Sequence, residues 1–215
     1  LTLGFRAGLV LGGVGWGCGG PPKNFLPLRG GGGGVGPPPP PPPYSCFMDS
    51  SDPYTIRRTR REDWARLREL RLAALRDPLA AVAFYQTHEA ALEIPREEWE
   101  RRAAGDRTVT FVGETGKHRP WAGMVSVYPE PDPAADHVVV VGVYVRPEHR
   151  GTGMAAELME EAIAWAGDRE IRLRVHENNP RAARFYASLG FLPNGRSHVD
   201  PRAPGTRALE LTLSR

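Results

Sequence analysis

Residues 137–167 read HVVVVGVYVRPEHRGTGMAAELMEEAIAWAG, and their order decides the fold. The run from His137 to Val145 is apolar, valine-rich and too short for a typical helix, and Arg146-Pro147 closes it, so it reads as a largely buried β-strand. From Met154 onward, apolar residues at 154, 155, 158, 159, 162, 163 and 166 mark one face of an amphipathic helix. Strand and helix are joined by Arg150-Gly151-Thr152-Gly153-Met154-Ala155. Backbone N–H groups in a glycine turn and in the first turn of a helix lack intrahelical partners and carry partial positive charge, so this junction suits a pyrophosphate. Glycine at 151 and 153 removes the Cβ atoms that would hold phosphate oxygens away.

Two ligand classes use such a turn. Gly151-Thr-Gly-Met-Ala-Ala156 fits the dinucleotide fingerprint G-x-G-x-x-G/A, and Glu177, at the end of the next strand, can serve as its ribose-binding acid. In that fingerprint the first glycine follows the strand at once, whereas here Arg146 to Arg150 intervene, a proline among them. The further βα repeats of a dinucleotide fold are also missing.

Downstream, Ile171, Leu173 and Val175 alternate with Arg172, Arg174 and His176, a fifth strand. A helical crossover precedes it, so it should lie parallel to the strand ending at Val145, with a right-handed connection. Then comes VHENNPRAARFYASLGF, residues 175–191, in which Asn179 can cap a helix beginning at Pro180 and Gly190 sits where that helix must end.

Together these segments resemble the GNAT superfamily of N-acetyltransferases, bacterial type. Arg150, Gly153 and Ala155 match its acyl-CoA loop, R/Q-x-x-G-x-G/A, and Asn179, Ala182, Tyr186, Gly190 and Phe191 match N-x-x-A-x-x-x-Y-x-x-x-G-F. The resemblance covers about residues 54–215. It implies an α/β (α+β) fold with a central mixed, mostly antiparallel seven-stranded sheet, a parallel, splayed pair of fourth and fifth strands, and helices on both faces.

The other elements fall into place around that core. Tyr54 to Arg58 reads as a first strand, and a helix with apolar positions at Trp64, Leu67, Leu70, Ala74 and Leu75 runs up to Asp77-Pro78. Residues 70–102 resemble the region after the first strand in a bacterial subgroup of the superfamily, where a helix pair walls the acceptor site. Phe84, Tyr85 and Trp99 can line a pocket there, although such aromatics are more often core. Thr108 to Gly113 and Trp121 to Tyr128 read as a hairpin, and the polar loop Pro129 to Asp136 as part of a site rim. A sixth strand near Phe191 and a seventh, Ala208 to Leu213, end the sheet.

Composition divides the chain. Residues 1–47 hold no acidic residue, three of its 28 Lys+Arg, and 14 of its 25 glycines and 10 of its 22 prolines, including Gly30 to Gly34 and Pro37 to Pro43. The remaining 25 cations equal the 25 Asp+Glu, so the body is near neutral and gives no composition-level case for nucleic-acid binding. Both cysteines, Cys18 and Cys46, lie in this tail, which excludes a cysteine-based zinc or disulfide framework in the body and is compatible with a reducing cytoplasm. The tail is too glycine-rich for a signal peptide and too short in apolar residues for a membrane span. It reads as a Gly/Pro-rich low-complexity segment, disordered or read through from upstream of a natural start at Met48, with a proline-rich recognition ligand as the alternative. Residues 48–215 are expected to form the acetyltransferase domain.

The resemblance implies acetyl-CoA as co-substrate, direct transfer to a primary amine of a small molecule or of a protein or peptide, and no metal. A homodimer is compatible with it. Pantetheine would pair with the strand edge at Val143, Tyr144 and Val145, with a main-chain N–H near Val145 facing the thioester oxygen. Arg150, Gly151, Thr152, Gly153, Met154 and Ala155 would hold the pyrophosphate, Asn179 would touch pantetheine, and Tyr186 would protonate the departing thiolate. A core tyrosine with a satisfied hydroxyl is the plain alternative for Tyr186. Many relatives carry a glutamate base at the position of Val139, so the base is open, with His137, of the same strand parity, able to relay a proton through water. A silent acyl-CoA sensor that has lost the base is the second functional reading.

Overall fold

The computed structural model describes residues 54–116, 119–132, 135–200 and 205–213. The 1–47 segment and Met48 lie outside them. Seven strands form one sheet in the order β1-β2-β3-β4-β5-β7-β6: β1 Thr55–Arg58, β2 Val109–Glu114, β3 Gly123–Pro129, β4 His137–Val145, β5 Glu170–His176, β6 Leu192–Val199 and β7 Arg207–Leu213. Every neighbouring pair is antiparallel except β4 and β5. Six α-helices surround this sheet among the described residues: α1 Trp64–Arg76, α2 Ala80–Ala83, α3 His88–Leu92, α4 Arg96–Ala104, α5 Met154–Ala166 and α6 Pro180–Ser188.

The two faces of the sheet have separate cores. On one, α1 to α4 bury Leu70, Phe84 and Trp99 against Val112, Met124 and Tyr144. On the other, Leu158 and Met159 of α5 and Tyr186 of α6 pack on the valines of β4 and on Ile171 and Leu173 of β5. The expected helix pair between β1 and β2 is instead broken into α2, α3 and α4, because Pro78 and Pro95 interrupt the chain and Thr87 caps α3 through its side chain. Phe84 and Trp99 are core, each 1% exposed, whereas Tyr85 is half-buried. β3 begins at Gly123, two residues later than expected, because Trp121 turns its indole N–H onto Glu114 at 2.8 Å, between the guanidinium groups of Arg57 and Arg66.

Two irregularities in β4 position the site. Parallel pairing with β5 covers only His137–Val139 against Glu170–Arg172, after which the strands part. On the β3 side, Met124 pairs with Tyr144 and Ser126 with Val141, so two residues, Gly142 and Val143, oppose the single Val125. This is a β-bulge, and Gly142 adopts φ +65° within it, a backbone state costly for any residue with a Cβ. No helix among the described residues is long and apolar enough to cross a membrane.

Candidate active site

From Val140 to Val145 the β4 edge facing β5 has no strand partner, so its backbone lines a wedge between the strands. Val143, Tyr144 and Val145 are 0%, 6% and 1% exposed as whole residues, and along this edge their backbone groups lack a strand partner.

The glycine turn lies beside the wedge. Gly151 and Gly153 have φ +83° and +91°, and Gly153 enters α5 without any side-chain cap. Met154 and Ala155 point their side chains into the core, and Thr152 Oγ donates to the His149 carbonyl at 2.9 Å. Tyr54 braces the turn, its hydroxyl within hydrogen-bond distance of Glu157 Oε1 at 2.7 Å and of the Thr152 carbonyl at 3.2 Å. The first N–H groups of α5 thus face outward from a turn without blocking side chains, an arrangement able to hold an anion.

Arg150 departs from expectation. Its Nε donates to the Val145 carbonyl at 3.0 Å, and its Nη2 pairs with Asp77, whose side chain is only 4% exposed. A buried carboxylate at the C-cap of α1 needs a counter-charge, and Arg150 supplies it, so the side chain ties α1 to the end of β4 rather than projecting over the turn.

A different cation stands free, and sequence reasoning missed it. Nε and Nη2 of Arg181 are buried with no hydrogen-bond partner among the described residues, and burial, followed by repulsion from Arg150, lowers its pKa. The clue was legible: Arg181 occupies the first turn of α6, the positive end of the helix dipole, where a cation is unfavourable unless something negative is to bind.

Asn179 caps α6 as expected, its Oδ1 accepting from the Ala182 N–H at 3.1 Å, and it is 5% exposed. Tyr186 is completely buried, its ring against Phe185 and Phe191. Its hydroxyl has no partner among the described residues, and burial raises its pKa far above the usual value for tyrosine.

On the opposite face, at the foot of the wedge, a cavity of about 510 Å³ is lined by Val139, Arg172, Arg174, Arg196, His198 and Glu210, with Glu130, Asp132 and Asp136 of the β3–β4 loop along its rim. His137 also lines it, its Nε2 lying 3.5 Å from Glu130. Glu210 accepts from Asn194 at 2.8 Å and from His198 Nε2 at 3.1 Å, with Arg174 at 3.6 Å. Burial pushes the Glu210 carboxyl up, but these hydrogen bonds and the Arg174 charge outweigh it and hold the pKa below its ordinary value. A carboxylate can only accept, so in this contact His198 Nε2 is the donor and Nδ1 is turned away from Glu210. His198 and Glu210 come from β6 and β7, and no spacing in the sequence pointed to their meeting.

With this geometry in place, the comparisons with known proteins decide the family. The model of the acetyltransferase (GNAT) family matches residues 64–191. The chain belongs to this family. An uncharacterized N-acetyltransferase of Mycobacterium tuberculosis is 45% identical over 56 residues, which are 25% of this chain and 36% of that protein. The Escherichia coli peptidyl-lysine N-acetyltransferase YjaB is 38% identical over 58 residues, 27% of this chain and 38% of its own length. The matched segment thus spans little more than a third of these curated relatives. The yncA protein of Salmonella typhimurium, solved with its cofactor acetyl-CoA, shares the GNAT fold with a TM-score of 0.58 at 19% identity, over 75% of this chain and 94% of that one.

Proposed function

We propose that this chain is an acetyl-CoA-dependent N-acetyltransferase that moves the acetyl group directly to a primary amine. The observation that carries the reading is the unpaired β4 edge from Val140 to Val145, opening beside the uncapped start of α5. A pantetheine arm can pair with that edge as an added strand while the N–H groups of Gly151 to Ala155 receive the pyrophosphate. Membership of the family and the acetyl-CoA held by the yncA structure support the choice of co-substrate. Arg181 adds the cation that Arg150, committed to Asp77, does not supply.

In this reading the thioester lies at the bulge, where main-chain N–H groups near Val145 stabilise the oxyanion of the tetrahedral intermediate. Holding amine and thioester together supplies ~7 to 11 kcal/mol of the barrier. The amine nitrogen attacks the acetyl carbon, the C–S bond breaks, and Tyr186 gives its proton to the leaving thiolate. A buried donor without a protein acceptor suits that role, since the sulfur supplies the missing partner. His198, oriented by Glu210, takes one proton from the substrate ammonium before attack, directly or by way of water in the cavity, in place of the carboxylate absent at Val139, and the proton that the nitrogen sheds as the amide forms restores Tyr186 by way of water.

A thiol-release assay with acetyl-CoA over a panel of amines tests the proposal. Turnover is expected with at least one acceptor, and His198→Asn is expected to lower kcat/KM by ~10² or more with acetyl-CoA affinity unchanged. Acetyl-CoA binding without turnover on any amine would favour a silent acyl-CoA sensor.

A further inference from the structure

Arg71 of α1 is 8% exposed, and among the described residues it has no carboxylate partner. Its Nε donates to the Gln86 side-chain oxygen at 3.2 Å and its guanidinium lies 4.4 Å from the Phe84 ring centre, both neutral contacts. Burial pulls its pKa down to about 9, and repulsion from Arg102 adds to the shift. A cation held away from water without a counter-charge is costly, and proteins seldom leave one so.

Its position gives that cost a purpose. A Cβ placed on Gly142 would come 3.9 Å from Arg71 Nη1 and 3.8 Å from Ser126 Oγ, so the guanidinium stands over the bulge where the proposed reaction takes place. Ser126 pairs with Val141, and Val139 pairs with Arg172, so Ser126, Val141, Val139 and Arg172 share one face of the sheet. Arg71 is therefore on the acceptor side of β4, above the same face that forms the cavity, and the phosphate-binding turn at α5 is on the other side. Ser126 is half-buried, so the face beside the guanidinium is not sealed.

We propose that Arg71 binds the carboxylate of the acceptor, and that the acceptor is an α-amino acid or a close analogue carrying its carboxylate next to the amine that is acetylated. This rests on the acetyltransferase reading above and names its substrate class. A planar guanidinium receives a carboxylate through two parallel N–H···O bonds, which fixes the orientation of the adjoining amine as well as its affinity. The absence of a protein carboxylate is what such a subsite requires, since an internal ion pair would compete with the substrate. Polyamines and lysine side chains have no carboxylate in this position and would leave Arg71 unpaired.

The test is thiol release by the full chain with acetyl-CoA and matched acceptors: amino acids, their carboxamides, and the amines lacking the carboxyl group. The acids are expected to be used with kcat/KM at least ~10² higher than their carboxamides, because a buried charge left unpaired penalises the analogue that lacks its partner. Arg71→Gln is expected to raise KM for the acid by ~10² and to leave the carboxamide unaffected, with Arg71→Lys intermediate. Carboxamides or plain amines used as well as the acids would overturn the proposal, and that comparison needs no variant to fold. So would an Arg71→Gln variant that loses acid and carboxamide turnover alike, which marks a packing role or an oxyanion contact. If no amine releases thiol and acetyl-CoA does not bind, the acetyltransferase reading falls instead. The carboxylate site is then decided by thermal shift: amino acids raising Tm in the parent but not in Arg71→Gln uphold it, and no such difference overturns it.

Discussion

On the α5–α6 side of β4, the groups suited to the acyl donor come from two unbroken segments, residues 143–155 and 179–191, and most of them are backbone atoms at a turn or a helix end. On the α1–α4 side, the groups suited to the acceptor are side chains from six separate elements: Arg71, Ser126, Val139, Arg172, His198 and Glu210. In the proposed reading the donor side would recognise a co-substrate shared across the family, for which backbone geometry is enough. In the same reading the acceptor side would carry the discrimination, through charged side chains held in place by tertiary contacts.

The largest expected effect tests whether the donor loop hangs on the other face. Arg150→Glu would set two carboxylates against each other in a nearly buried pair with Asp77, and a stability loss of ~3 to 5 kcal/mol is expected in denaturant melts. A variant that melts like the parent and only loses acetyl-CoA affinity would show that Arg150 serves the phosphate and not the scaffold.

Next in size is Tyr186→Phe, which should lower kcat by ~10² or more while acetyl-CoA affinity holds. Its ligand-free melting temperature should stay level or rise, since an unpartnered buried hydroxyl costs ~1 to 3 kcal/mol. Full turnover in the variant would remove Tyr186 from the chemistry.

A smaller effect belongs to the acceptor side. A carboxyl whose pKa folding depresses adds stability that is fully present above its unfolded value of ~4.3 and is lost as pH falls through the folded one. Glu210 is such a group, so the parent should lose melting temperature more steeply than Glu210→Gln as pH drops below ~4.3. Parallel curves for the two proteins would mean that the contacts to Asn194, His198 and Arg174 do not hold the charge.

The smallest effect expected is none. Removing residues 1–47 should leave the circular dichroism spectrum and melting temperature of the domain unchanged, because Tyr54, which braces the glycine turn, is retained. A cooperative melt lost on truncation would assign the tail to the fold.

The same division explains what was legible in the sequence. β4, the glycine turn, α5 and the Asn179 cap were readable to the residue, because strand alternation, glycine and capping side chains act over a few positions. The seven strands followed from patterning, with ends displaced by one or two residues where Trp121 and Tyr54 take side-chain roles. Arg150 was read as a ligand cation because its partner, Asp77, lies 73 residues away and nothing local announced it. Arg71, His198 and Glu210 were missed for the same reason: an arginine in an amphipathic helix looks like surface until the helix is docked without a carboxylate nearby. The loop Pro129 to Asp136, expected near a site rim, supplies Glu130, Asp132 and Asp136 to the edge of the cavity, where a polar, proline-rich link between two buried strands can lie.

The bulge at Gly142 and Val143 has one more consequence. Faces alternate regularly on either side of it, with Val141 opposite Ser126 and Tyr144 opposite Met124, so the extra residue is absorbed locally and changes no side chain's allegiance. Deleting Gly142 would let Val143 meet Val125 directly, and every valine would keep its core. What would vanish is the local distortion of the ladder. If the proposed reaction takes place at the bulge, a working enzyme and an inert sheet with the same hydrophobic interior would lie a single codon apart, and an in-frame loss at that codon would retire the chemistry while keeping the shape.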